Sequence, residues 1–149
     1  MRIETYDLKA KKSLMTFEFI SQGSKGVIKK RIQYQKIDDE GDVYNLAFGD
    51  VDLATNDVND IAISNNDDTT KVLATVASTV PLFIAKYPNA IIYAKGSTPT
   101  RTRLYQIGIA KNLDVINENF TIYGLFGENN FEKFQKNKHY SAFVIIKKG

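Results

Sequence analysis

The chain contains no cysteine and only one histidine, His139. Without cysteine there are no disulfides, no thiolate nucleophile and no sulfur ligands for zinc, a pattern typical of a reducing compartment. The charged amino terminus does not fit a signal peptide, and the longest mostly apolar run, Val72 to Ala85, is too short to cross a bilayer. We therefore expect a cytoplasmic protein with no membrane partner.

An excess of one charge is also lacking, because 20 basic side chains are balanced by 17 acidic ones to give a net charge of +3. Whole-chain charge therefore does not indicate a nucleic-acid partner. Two local basic strips are present: Lys29, Lys30, Arg31 and Lys36 in the first half, and Lys133, Lys136 and Lys138 near the end. With Tyr34 they leave nucleic-acid binding as an alternative, although lysines on an exposed strand also simply prevent aggregation.

The length of 149 residues and the apolar content of 43% suit a single domain spanning residues 1–149 around one core. Apolar residues alternate with polar ones in three runs, at 17–19, 28–34 and 44–48, with turns between them. This alternation predicts an antiparallel amino-terminal meander. A short fourth strand is expected at 61–63.

Beyond that point the apolar residues recur at three- and four-residue steps: Val72, Leu73, Val76, Ala77, Val80, Phe83 and Ile84. This spacing predicts a helix, which Pro81 should kink. Residues 90–94 form a nearly unbroken apolar run, as expected for a strand covered on both faces. The strand at 61–63, this helix and the strand at 90–94 should form a parallel, right-handed unit.

A second helix is predicted to begin at Thr98, a good N-cap, followed by Pro99 in the first helical position. It should run to about Leu113 with Leu104, Ile107 and Ala110 facing inward. Strands at 120–125 and 140–147 complete the chain, with a helical turn expected around 131–134. The fold class is therefore α+β: the meander is joined to a strand-helix-strand-helix-strand-strand unit in a mixed sheet with helices packed on it.

Three strings are distinctive when taken together: YNLAFGD at 44–50, KVLATVA at 71–77 and GSTPTRTRLY at 96–105. They resemble a family of small proteins of unknown function found mainly in Bacteroidota, and the likeness extends over almost the whole chain. The resemblance implies a shared fold and no particular activity.

The order of elements in the second half also resembles the acyl-CoA-dependent N-acetyltransferase superfamily. That resemblance implies a glycine-rich loop before the first helix, whose N–H groups would hold the pyrophosphate of coenzyme A. Here the loop spans 65–71, has no glycine, and carries Asp67 and Asp68 where a polyanion would have to lie. We therefore expect no bound cofactor, and we expect the two aspartates to cap the first helix instead.

Arg101 and Arg103 lie in the first turn of the second helix, where a cation is unfavourable next to the helix dipole. The loops before the two helices should meet at one edge of the sheet, so Asp67 and Asp68 could pair with these arginines. Alternatively, the arginines could bind a phosphate or carboxylate. The candidate binding residues are Asp68, Lys71, Ser97, Thr98, Arg101, Arg103 and Tyr105.

No catalytic constellation is evident. His139 lies in a solvated basic stretch without a neighbouring carboxylate, and Tyr105 could serve as a proton donor but more often such a residue packs in the core. The acidic connection at 50–60 lacks the glycine that a calcium loop requires, so no metal is expected. The sequence favours a non-catalytic or degenerate module that binds an anionic ligand or a protein. An acyl-CoA-dependent acyltransferase and a nucleic-acid-binding protein are the alternatives.

Overall fold

The computed structural model describes residues 4–39, 41–59 and 66–148. In chain order its elements are β1 (Lys9–Ala10), β2 (Thr16–Gly23), β3 (Gly26–Lys36), β4 (Val43–Val51), β5 (Val58–Asn59), α1 (Thr69–Lys86), β6 (Ile91–Ala94), α2 (Pro99–Lys111), α3 (Leu113–Ile116), β7 (Phe120–Phe126), β8 (Asn130–Lys133) and β9 (Ala142–Lys147). The strands form one mixed sheet in the order β1-β2-β3-β4-β6-β9-β7-β8, and β5 pairs with the end of β4. The predicted α+β class is confirmed.

The predicted meander is confirmed as β2, β3 and β4, which pair antiparallel. Ile32 on β3 lies opposite Phe17 on β2 and Phe48 on β4, so these apolar side chains share one face of the sheet. All three are buried, as the alternation of apolar and polar residues requires for a sheet with one covered face.

Helix α1 covers this face through the stripe that the sequence predicts, although Ala77 is only half-buried. The ring of Phe83 stacks on Tyr34 with 4.1 Å between the ring centroids. The Tyr34 hydroxyl also shares a hydrogen bond of 2.7 Å with Thr79, and burial raises the pKa of Tyr34. Pro81 is exposed and lies inside the helix, which continues beyond it to Lys86.

The parallel partner of β6 is β4, so the crossover runs from β4 through α1 to β6. The strand predicted at 61–63 lies outside the described residues. The prediction that 90–94 is covered on both faces is wrong, because Ala90, Ile92 and Ala94 are buried, whereas Ile91 is exposed and Tyr93 half-buried. Helices α1 and α2 cover one face of the strand, and β6 therefore alternates like the meander.

Helix α2 begins at the predicted cap, since the Thr98 side chain accepts a hydrogen bond from the Arg101 N–H. Its predicted inward residues, Leu104, Ile107 and Ala110, are only half-buried. The buried residues are Arg101, Thr102, Tyr105, Gly108 and Ile109. A Cβ at Gly108 would lie 3.2 Å from Leu73 Cβ, so glycine lets α2 pack closely against α1.

The last third differs from prediction at one element. The helical turn expected at 131–134 is wrong, because β8 occupies Asn130–Lys133 and pairs antiparallel with β7. The last strand begins at Ala142 rather than at Tyr140. No helix in the described part of the chain is both long and apolar enough to span a membrane.

Candidate functional site

Strand β4 pairs with β6 only through the first three residues of β4, and the gap that opens between the two strands beyond this pairing is called the crevice below. The two strands pair in parallel from Val43 opposite Ile91 to Asn45 opposite Tyr93. Strand β4 then continues to Val51, where β5 pairs with it instead. Ligands of open sheets often bind beyond the carboxyl ends of strands that part in this way. The crevice is therefore the first place to look for a site.

Two side chains of α2 fill the crevice. The Tyr105 hydroxyl donates a hydrogen bond of 3.2 Å to the carbonyl oxygen of Leu46, and Arg101 Nη2 donates one to the carbonyl oxygen of Phe48. The Arg101 guanidinium also lies 5.0 Å from the centre of the Phe48 ring. Arg101 is only 3% exposed and Tyr105 only 6%. The backbone carbonyls that face the crevice are thus occupied by the protein's own side chains.

A cavity of about 40 Å³ remains beside Arg101. Its wall includes the ion pair between Lys30 and Asp50, in which Nζ lies 2.6 Å from Oδ1 and the lysine is only 5% exposed. A space of this size can hold water, whereas sites for small molecules usually exceed about 300 Å³.

The prediction that the side chain of Asp68 caps α1 is wrong. Asp68 occupies the N-cap position, but its carboxylate accepts no hydrogen bond from the helix. Oδ2 instead accepts hydrogen bonds of 2.5 Å from the Tyr6 and Ser21 hydroxyls. Burial and the hydrogen bond to Asp68 raise the pKa of Tyr6. The carboxylate therefore ties the amino-terminal segment and β2 to the start of α1.

The expected ion pairs between the two acidic and the two basic residues are also wrong. Among the described residues, no salt bridge joins Asp67 or Asp68 to Arg101 or Arg103. Asp67 is exposed and has a left-handed backbone with a φ of 60°. The two arginines are two positions apart, so they point to different sides of α2: Arg101 is buried and Arg103 is exposed.

Arg103 borders a second concavity of about 230 Å³ at the start of α2, called the α2 hollow below. Its wall is built by the loop before α2, by the first two turns of α2 and by residues 139–141. The polar and charged members of this wall are Lys95, Ser97, Thr98, Thr102, Arg103, Gln106, His139, Tyr140 and Ser141. Ser97, Thr98 and Arg103 are therefore brought together here, as predicted from their positions in the sequence.

The wall of the α2 hollow is held by specific contacts. A side chain at Gly96 would lie 2.4 Å from the Thr102 N–H nitrogen, so the loop can approach α2 only with glycine at this position. Gln106 Nε2 donates a hydrogen bond to the carbonyl oxygen of Lys138, just before His139. On the opposite side, the Tyr140 hydroxyl donates to Glu132 at 2.6 Å. The three segments are thus fixed relative to one another.

The α2 hollow is positively charged. Lys95, Arg103 and His139 line it, and no carboxylate does so among the described residues. Within the same ranges, the side chains of these three residues form no hydrogen bond and no ion pair. The amino end of α2 adds the positive end of a helix dipole. Lys95 and His139 were missed because 44 positions of sequence separate them, and only tertiary packing brings them together.

The remaining predicted residues lie elsewhere. Lys71 on α1 lies above the ring of Tyr6, with Nζ 4.2 Å from the ring centroid, in a surface groove along β2. Tyr105 lies in the core and Asp68 at the start of α1. Within the described residues, no group of three His, Asp or Glu side chains could hold a metal ion.

The basic strip on β3 is largely paired. Lys30 is buried against Asp50, while Arg31 and Lys29 lie 2.7 Å and 3.5 Å from the carboxylate of Glu18. Burial of Glu18 opposes ionisation, but the hydrogen bond and charge of Arg31, together with Lys29, outweigh it and lower the pKa of this carboxyl. The β3 strip therefore presents little unpaired positive charge.

The fold and the α2 hollow define an α+β protein with a sealed crevice and a positively charged concavity next to it. The chain belongs to a family of unknown function, DUF6934, whose model matches residues 2–148. This match confirms the resemblance to a family without an established activity. No curated protein and no solved structure matches the chain. The likeness to acetyltransferases therefore stays a prediction.

Proposed function

We propose that the chain is a single-domain, cytoplasmic, non-catalytic binding module that takes a small anion in the α2 hollow. The observation that carries the proposal is the set of Lys95, Arg103 and His139 around one concavity without a carboxylate among the described residues of its wall. The positive charges of Lys95 and Arg103 repel each other, and an anion between them relieves that repulsion.

The donors of the α2 hollow suit a phosphate or carboxylate group. Arg103 offers a planar set of N–H donors, Lys95 offers a compact charge, and the Ser97 and Thr98 hydroxyls border the same space. The volume of about 230 Å³ lies below the usual range for small-molecule sites, which begins at about 300 Å³. The ligand class is therefore a small anion, or the anionic end of a larger molecule, rather than an enclosed nucleotide.

The acyltransferase alternative is disfavoured by the crevice. Arg101 and Tyr105 use the carbonyls of β4, and the space that remains beside them is about 40 Å³. Asp67 and Asp68 add negative charge at the start of α1, where the coenzyme's diphosphate would have to bind. Nucleic-acid binding is disfavoured because acidic partners neutralise Lys29, Lys30 and Arg31.

Calorimetric titration tests the proposal. We expect inorganic phosphate to bind the unaltered chain, and Arg103→Gln to weaken that binding by about tenfold through loss of a charge-assisted contact. Lys36→Gln is the matched control, because it removes one exposed positive charge from the end of β3, outside the α2 hollow. It should leave the phosphate affinity nearly unchanged.

The same instrument separates the alternatives. Acetyl-CoA should give no binding heat, and micromolar binding of this compound would support the acyltransferase instead. Failure of phosphate, sulfate and acetate to bind the unaltered chain would remove the anion-binding proposal. A nucleic-acid site would show itself by an affinity that falls steeply with salt, because each phosphate contact releases counterions.

A further inference from the structure

His139 lines the α2 hollow and comes from the segment at 139–141 rather than from α2. The hydrogen bond from Gln106 to the Lys138 carbonyl fixes the backbone directly before it, and Tyr140 directly after it is buried. The imidazole is thus carried by a segment that is tied down on both sides. It is exposed and, within the described residues, forms no hydrogen bond or ion pair.

Each segment that borders the hollow contributes charged groups near His139. Lys95 comes from the loop before α2 and Arg103 from α2 itself. On its own segment, Lys138 pairs with Glu132 at 3.1 Å, and the same carboxylate accepts the hydrogen bond of Tyr140. These two contacts lower the pKa of Glu132, so its charge stays constant in the neutral range. Among the described residues that line the hollow, His139 is the only one of the residue type that serves as a switch at physiological pH.

We propose that His139 is a third ligand-binding residue of the hollow, which takes a tetrahedral dianion such as a sulfate or phosphoryl group more tightly when the imidazole is protonated. The inference rests on the proposed anion site and adds both the class of ligand and its regulation by pH. An imidazole gains its proton between about pH 8 and about pH 5.5, so the positive groups facing the ligand increase from two to three on acidification.

The direction of the effect follows from linkage. A bound dianion favours the protonated imidazole, so proton uptake and anion binding strengthen each other. If anion binding raises the pKa of the imidazole by one unit, protonation of the imidazole strengthens anion binding by about tenfold. A doubly charged ligand gains more from the added proton than a singly charged one does, because the Coulomb energy scales with the product of the charges.

The test is a sulfate titration of the full chain at about pH 5.5 and about pH 8. Sulfate keeps both negative charges over this range, whereas phosphate gains a proton, so sulfate isolates the change in the protein. We expect sulfate to bind about tenfold more tightly at the lower pH. Chloride, as a monoanion, should gain less. His139→Gln should bind sulfate at both pH values with the weaker affinity.

Lys138→Gln is the matched control. It removes a neighbouring positive charge and leaves the imidazole in place, so the ratio of the two affinities should persist. Because the chain has only one histidine, a pH response that survives in His139→Gln would overturn the inference. Sulfate binding that is independent of pH in the unaltered chain would also overturn it, while leaving the anion site in place. No sulfate binding at either pH would overturn the inference, and it would remove the anion site as well if phosphate and acetate also failed to bind.

Discussion

The two sides of helix α2 use the same residue type in opposite ways. On the inner side, Arg101 is 3% exposed and its guanidinium bonds to the Phe48 carbonyl and lies against the Phe48 ring. On the outer side, Arg103 is exposed and faces a concavity that it shares with Lys95 and His139. One arginine closes a gap in the sheet, and the other remains available to a ligand.

The difference teaches that position relative to the core decides what a charge does. A buried guanidinium must be compensated within the protein, here by a carbonyl and an aromatic face. An exposed one keeps its hydration and its donors, which it can exchange for those of an anion. The residues next to them reinforce the contrast, because Tyr105 bonds within the crevice while Thr98 and Ser97 border the α2 hollow.

The largest effect is expected from Arg101→Ala, which should reduce the free energy of unfolding by about 3 kcal/mol. The substitution leaves the Phe48 carbonyl without its donor and opens a cavity between β4 and α2. Urea denaturation followed by circular dichroism measures the loss. Arg101→Met should recover part of it, because a buried apolar chain of similar length refills the space. Unchanged stability of Arg101→Ala would contradict the description of the crevice.

A medium effect is expected from Thr98→Ala, which removes the acceptor of the Arg101 N–H at the start of α2. Loss of an N-cap usually reduces the free energy of unfolding by about 1 kcal/mol. Thr98→Ser keeps the hydroxyl and is the matched control. If the two variants unfold at the same urea concentration, the cap contributes nothing and the start of α2 is held by other contacts.

The smallest effect on stability is expected from Arg103→Gln. Its free energy of unfolding should lie within about 0.5 kcal/mol of that of the unaltered chain, as for most exposed positions. Relief of the repulsion among the positive groups of the α2 hollow partly offsets any contact that the substitution removes. Thermal unfolding at low salt measures this directly. A loss as large as that of Arg101→Ala would mean that both arginines are structural and that the comparison between them fails.

Most of the fold could be predicted from local pattern. The alternation of apolar residues predicts the meander, and the three- and four-residue steps predict α1. Thr98 followed by Pro99 predicts the start of α2. These patterns involve only residues that are close in the sequence, so they can be recognised without the structure. The short strand β8 was missed because its pairing with β7 depends on a turn at 127–129 that the lysine- and asparagine-rich composition obscured.

The candidate site could be predicted only in part. Ser97, Thr98 and Arg103 were identified from the helix start, but Lys95 and His139 join them through tertiary packing. The sequence groups Arg101 with Arg103 because both lie in the first turn of α2. The burial of Arg101 accompanies its hydrogen bond to the Phe48 carbonyl on β4, a contact between residues far apart in the sequence. Likewise, the hydroxyls that hold Asp68 come from distant parts of the chain.

The most direct measurement is a phosphate titration followed by the backbone amide signals of the isotopically labelled chain in solution. If the α2 hollow is the site and the crevice is sealed, the signals of Lys95, Ser97, Arg103 and His139 should shift and saturate together. The signals of Gly49 and Val72, which border the cavity beside Arg101, should stay in place. Saturating shifts at Gly49 and Val72 with none around the α2 hollow would contradict the account.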